Sequence, residues 1–152
     1  MAAGEEIRIV ITGTQFAPGT MAEGAGGIPE PVITEQEVQA CFYKKGEAYY
    51  LLYEEQPEGY PDVLKTRVKY KGSMLEVDRK GPMANSMTFE MNKVYRTEYK
   101  TPFGVLMLDV ATKSLDAENS GAEDWPDIRV CYHLKNEDEI LGEYELSIKR
   151  KH

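Results

Sequence analysis

Arg79 follows Leu75 and Val77 at intervals of two, so in an extended strand its guanidinium shares their apolar face. Buried there, it requires a carboxylate partner or an anionic ligand. Tyrosines fall on similar faces: Tyr70 follows Val68, Tyr95 and Tyr99 flank Thr97, and Tyr50 sits in an apolar run. A tyrosine facing inward presents a flat ring and a hydroxyl that needs a partner, which suits a pocket of mixed polarity. Arg79, Tyr70, Tyr95, Thr97 and Tyr99 are therefore the candidate ligand-binding side chains, for a small, partly apolar or anionic molecule.

Other chemistry finds little support. His133 and Cys131 share a strand face, but two ligands do not make a metal site, and the second histidine, His152, is the last residue. Cys41 and Cys131 are the only cysteines, too few for a disulfide framework, and read as small packing residues. No Gly-X-Ser-X-Gly elbow is present. Gly24-Ala25-Gly26-Gly27 lacks the Lys-Ser/Thr of a phosphate loop, and the acidic stretch Asp116 to Asp127 lacks EF-hand spacing. The expectation is a protein without catalytic residues, metal or cofactor.

The elements that must position these side chains are strands. From Leu64 to Lys71 the chain alternates Leu64, Thr66, Val68 and Tyr70 with the cations Lys65, Arg67, Lys69 and Lys71. That period of two puts one kind of side chain on each face of a strand, with Thr66 and Tyr70 on the inner one. The pattern recurs over Glu6 to Thr14, Thr34 to Lys44, Met74 to Arg79, Ser86 to Asn92, Tyr95 to Lys100, Val105 to Thr112, Ile128 to Leu134 and Ile140 to Ile148. Glu47 to Glu55 is apolar on both faces, as where both sides are covered. Lys113 to Trp125 reads as a polar loop, and residues 15–32 as a long Gly/Pro-rich loop.

About ten strands at this spacing, linked by hairpin turns and with no long amphipathic helix, predict an all-β, single-domain protein over residues 1–152. An up-and-down antiparallel meander of about 8–10 strands removes its exposed edges by closing into a barrel.

Composition narrows the partners. A net charge of −8 repels polyanions, so nucleic acid is not an expected partner and the Lys65 to Lys71 stripe reads as a solvated strand face. No apolar run approaches the roughly 18–20 residues that cross a bilayer as a helix. The acidic start does not resemble a secretory signal, and the expected location is the cytoplasm.

Arg79-X-Gly81, Phe89, Tyr99-X-Thr101-Pro102-Phe103-Gly104 and Thr112 together resemble the pattern of the YwiB-like proteins. The likeness spans roughly Thr34 to Lys149, and its most specific part is the Tyr-X-Thr-Pro-Phe-Gly segment. These are small bacterial proteins of unknown function classed with the calycin β-barrels, the group that includes lipocalins. The resemblance implies a closed antiparallel barrel and supplies no activity, ligand or catalytic residue. A small-molecule binder with its ligand in the barrel is the first expectation. The alternative is a protein-interaction module with a side-chain-filled core, working through the basic strand face or the Gly/Pro loop.

Overall fold

The computed structural model describes residues 4–16, 31–55, 63–81, 84–101, 104–118 and 124–151. Among them lie ten strands and no helix: β1 (Glu5–Phe16), β2 (Val32–Lys45), β3 (Ala48–Glu55), β4 (Leu64–Lys71), β5 (Met74–Lys80), β6 (Asn85–Glu90), β7 (Val94–Thr101), β8 (Gly104–Glu118), β9 (Asp127–Asn136) and β10 (Glu139–Arg150). They form one sheet in the order β6-β5-β4-β3-β2-β1-β10-β9-β8-β7. Consecutive strands pair throughout except at β6 and β7, and β1 joins β10 antiparallel to bring the ends of the meander together. The result is an all-β, nearly closed barrel, consistent with the calycin-like architecture expected.

Closure lacks a ladder at one seam. β6 and β7 are consecutive in the chain yet stand at opposite edges of the sheet. Side chains bridge them: the Thr97 hydroxyl donates to the Ser86 carbonyl, and the Tyr95 hydroxyl donates to Glu90 Oε1 at 2.8 Å. The link between β6 and β7 is the turn at Met91 and Asn92, where Asn92 takes a positive φ of 63°.

Register stacks the interior in cross-strand rows. Tyr49, Tyr70, Leu75 and Phe89 pair in sequence across β3–β6, and beside them Leu51, Val68, Val77 and Met87. The next row is Tyr53, Thr66, Arg79 and Asn85. Directly opposed side chains in such rows stand about 5 Å apart at Cβ, so the interior changes from apolar to polar within one step along the strands.

The apolar end is closed by Trp125, which is 1% exposed. Its ring meets Phe42 edge to face at 6.3 Å, and its Nε1–H donates to the Ile148 carbonyl at 3.2 Å. Ile7, Ile9, Ile128 and Ile148 are buried in the same core. An indole is tolerated here because its one polar atom has a backbone acceptor.

Four expectations are corrected. β8 continues past Thr112 to Glu118, where a loop was expected. A bulge between Thr112 and Ser114 explains the misreading, because it shifts the phase: Leu108, Val110 and Thr112 are buried before it, and Leu115 is buried after it. β1 and β2 reach Phe16 and Val32, so the ends of the 15–32 segment are strand; residues 17–30 lie outside the described residues. Met91 and Asn92 belong to the turn, not to the strand. Finally, β3 is not covered on both sides. Leu52 is 40% exposed, and Tyr50 stands on the outer face, stacked on Tyr43 at 4.7 Å beneath the Lys69 ammonium.

Candidate functional site

The polar row of β3–β6 lies where β5 ends, β6 begins and β3 runs out, so it forms the lip of the barrel opposite Trp125. Strand parity sends Tyr53, Thr66, Arg79 and Asn85 inward for the same reason that Leu51, Val68, Val77 and Met87 point inward two residues away. Glu55 follows Tyr53 on the same face. Gly81, just past the end of β5, borders this lip with a backbone at φ 143°, and a Cβ there would lie 2.6 Å from Leu64 Cδ2.

Hydrogen bonding is incomplete in this row. Six buried side-chain polar atoms among the described residues lack a well-formed hydrogen bond, and four of them are here: Glu55 Oε1, Thr66 Oγ1, Arg79 Nε and Asn85 Oδ1. An unsatisfied buried polar atom costs about 1–3 kcal/mol relative to a satisfied one; Glu55 and Thr66 also interact with the Tyr53 hydroxyl, which leaves Arg79 Nε and Asn85 Oδ1 as the two without a partner.

The surrounding phenols are held protonated. Tyr53 lies beside the Glu55 carboxylate and the Thr66 hydroxyl; burial, then the Glu55 charge, raises its pKa above the ordinary tyrosine value, while Arg79 opposes them. Across the barrel, burial and then Tyr144 push Tyr132 up to about 12, again against Arg79. The Arg79 charge therefore acts on two neutral phenols from opposite walls. Tyr132 stacks on Tyr144 at 5.3 Å and meets Phe89 at 4.7 Å, which fixes its ring.

An open hollow of about 980 Å³ spans β3–β7 at this lip and is lined chiefly by outer-face side chains, among them Leu52, Arg67, Asp78, Ser86, Thr88 and Arg96. Its lining includes Tyr53, Thr66, Arg79, Asn85 and Thr97 from the inner face, and Lys65, Arg67, Lys80, Arg96 and Lys100 from the outer face. With Glu54, Asp78 and Glu98 this makes six cations against three carboxylates, on a chain of net charge −8. Arg67 is held by Asp78 at 2.5 Å and Arg96 by Asp109 at 3.0 Å. The volume is in the range of small-molecule pockets, and cations outnumber carboxylates along its walls. A smaller hollow of about 160 Å³ lies beside Tyr132 and Tyr144, lined also by Gly13 and Thr34.

The sequence model of a family described as a domain of unknown function (DUF1934) matches residues 29–148. The chain belongs to this DUF1934 family. The crystal structure of the ywiB protein from Bacillus subtilis superposes with a TM-score of 0.69 at 21% identity, covering 99% of this chain and 96% of that one. That likeness shows a shared fold and bears out the YwiB-like resemblance. No curated protein matches the chain.

Within this family member the five sequence-derived site residues divide. Arg79 and Thr97 both line the cavity, and Thr97 is 8% exposed. Tyr99 is half-buried just beyond them, on the side of Tyr132 and Tyr144. Tyr70 is separated from Arg79 by the apolar Val68 and Val77 step and tilts against Tyr49 at 6.4 Å. Tyr95 stands at the same far end, and its bond to Glu90 raises its pKa. Neither lines the cavity.

Tyr53, Asn85 and Tyr132 were missed. Tyr53 shares parity with Leu51, a signal obscured by reading β3 as apolar on both faces. Asn85 shares parity with Met87 and Phe89, but a strand begun at Ser86 leaves it out. His133 and Cys131 do share a face, as the sequence implied; His133 Nε2 lies 3.8 Å from Glu143 Oε1. No group of three potential metal-ligating residues exists among the described residues, and no described helix is long and apolar enough to cross a membrane.

Proposed function

We propose that this chain is a cytoplasmic, non-enzymatic binding protein that holds a small, partly apolar molecule in the polar lip of its barrel by an anionic group on Arg79. The observation that carries this reading is the buried Arg79 Nε without a partner, in one row with an unpartnered asparagine side-chain carbonyl. An anionic oxygen on the guanidinium forms a charge-assisted hydrogen bond, stronger than a neutral one. Thr66 donates to the same group, and Asn85 Oδ1 and Glu55 Oε1 accept from a hydroxyl or amine elsewhere on the molecule. The apolar part rests against Tyr53 and the Val77 row. Neutral phenols at Tyr53 and Tyr132 suit this role, because phenolates there would repel the ligand.

Native mass spectrometry of the protein purified from its source tests the reading. A co-purifying small molecule is expected, lost or weakened at least tenfold in Arg79→Gln. A ligand retained as tightly by that variant would remove Arg79 from the site. A chain that carries no small molecule and gains no thermal stability from any anion would favour a barrel filled only by its own side chains.

A further inference from the structure

Resting on that reading, we propose that the ligand carries a second anionic group, and that Lys65 and Lys80 hold it on the outer edge of the lip. The two lysines are directly opposed across β4 and β5, both exposed, and both line the cavity that Arg79 enters from the inner face. Like charges directly opposite one another destabilise an antiparallel pair. The neighbouring outer rows avoid this: Arg67 is paired with Asp78, and Lys69 with Glu76 at 3.9 Å. Of the four outer rows of β4 and β5, only the lip row sets cation against cation, Lys71 facing Met74 at the far end, and no described carboxylate forms an ion pair with either ammonium. Glu54, opposite Lys65 on its other side, lines the same cavity without closing a salt bridge.

The placement explains why one ligand can use both sets of cations. Arg79 and Lys80 are adjacent on β5, as are Thr66 and Lys65 on β4, and their side chains alternate across the sheet. In the middle of a sheet such neighbours are separated by the sheet itself. Here the strands end, and a molecule curling over the edge touches both faces. An anion seated between Lys65 and Lys80 removes their repulsion, so the bound and free states differ in a way a single interior arginine does not produce. The chemistry is that of a small molecule with two separated anionic groups, such as a bisphosphate, a phosphorylated acid or a polycarboxylate.

Thermal unfolding at constant ionic strength is the test, with pyrophosphate as the probe for paired anionic groups and acetate as the single-charge control. Wild type is expected to gain several degrees in pyrophosphate over acetate. Lys80→Gln is expected to melt about 1–2 °C higher than wild type in acetate, because the repulsion is gone, and to lose most of the pyrophosphate gain. Lys71→Gln, at an exposed cation on β4, the strand of Lys65, but outside the cavity, should keep that gain in full. A Lys80→Gln protein that melts lower in acetate, or that keeps the gain, overturns the proposal. Equal stabilisation by acetate and pyrophosphate overturns it too; if Arg79→Gln abolishes that common effect, the interior site stands without the second one. Absence of any anion effect on any variant removes both.

Discussion

Arg79 illustrates how little a residue type says until its partners are known. An arginine inside a barrel is structural when it is fully hydrogen-bonded, and removing it then leaves a buried carboxylate uncompensated at a cost of about 3–5 kcal/mol. Arg79 has an unpartnered Nε instead. Arg79→Met is therefore expected to keep the melting temperature of the ligand-free protein or raise it, while abolishing anion binding. Chemical denaturation of the variant that showed a loss above about 2 kcal/mol would assign the guanidinium to the scaffold. His133 makes a second prediction at this scale. Burial lowers its pKa below 6.5, outweighing the Glu143 carboxylate, and its Nδ1 has no hydrogen-bond partner. A histidine with a depressed folded pKa contributes its full stability above the unfolded value. Between the two values the unfolded chain binds more protons, so that stability is lost as pH falls below about 6.5. His133→Gln should flatten the fall of stability as pH drops below about 6.5, which denaturant titrations at several pH values would read; an unchanged slope would place the titrating group elsewhere.

At the scale of the strand, alternation is informative where one face is wet and misleading where the phase breaks. β4 was legible from Leu64 to Lys71 because its two faces carry opposite chemistry, and the structure buries Leu64, Thr66 and Val68 as that alternation requires. β8 was cut short at Thr112 because a bulge inverts the parity that follows, an event with no local signature in a window of five residues. β3 carried aromatic side chains at Tyr49, Tyr50 and Tyr53, so composition could not tell the inner ring from the outer one, and Tyr53 was lost from the site. Turn glycines were easier: Gly46 and Gly72 take φ of 62° and 63° with open space around them. Gly81 is different, since its φ of 143° is combined with a close approach to Leu64. Gly81→Ala should cost about 1–3 kcal/mol and loosen the lip beside Arg79. A cost below about 0.5 kcal/mol in denaturant titration would mean that β5 leaves the sheet by another route.

The whole molecule is asymmetric along its axis and around its girth. Along the axis, Trp125, Phe42 and the isoleucines close one end, while the other carries the unpartnered polar atoms and the cations. Around the girth, every neighbouring pair has a ladder except β6 and β7, and the cavity lies against that seam. The two asymmetries coincide because a side-chain seam constrains strand separation less than a row of backbone hydrogen bonds does. Edge strands bridged, among the described residues, by the side-chain bonds of Thr97 to Ser86 and Tyr95 to Glu90 rather than by a ladder can part locally without breaking the meander on either side. Family membership and fold were legible from pattern, but the seam was not, since it depends on which strands fail to pair after nine have paired. Amide hydrogen exchange gives the consequence directly. In ligand-free protein the seam-facing amides of β6 and β7 should exchange fastest among strand amides, and those of β1, bonded to both β2 and β10, slowest. An anion bridging the inner and outer faces at the lip should slow the β6 and β7 amides while leaving β1 unchanged, because it ties together the only edges free to separate. Seam amides as protected as those of β1 in the free protein would mean that a ladder closes the barrel in solution, and ligand entry would then have to come through the lip alone.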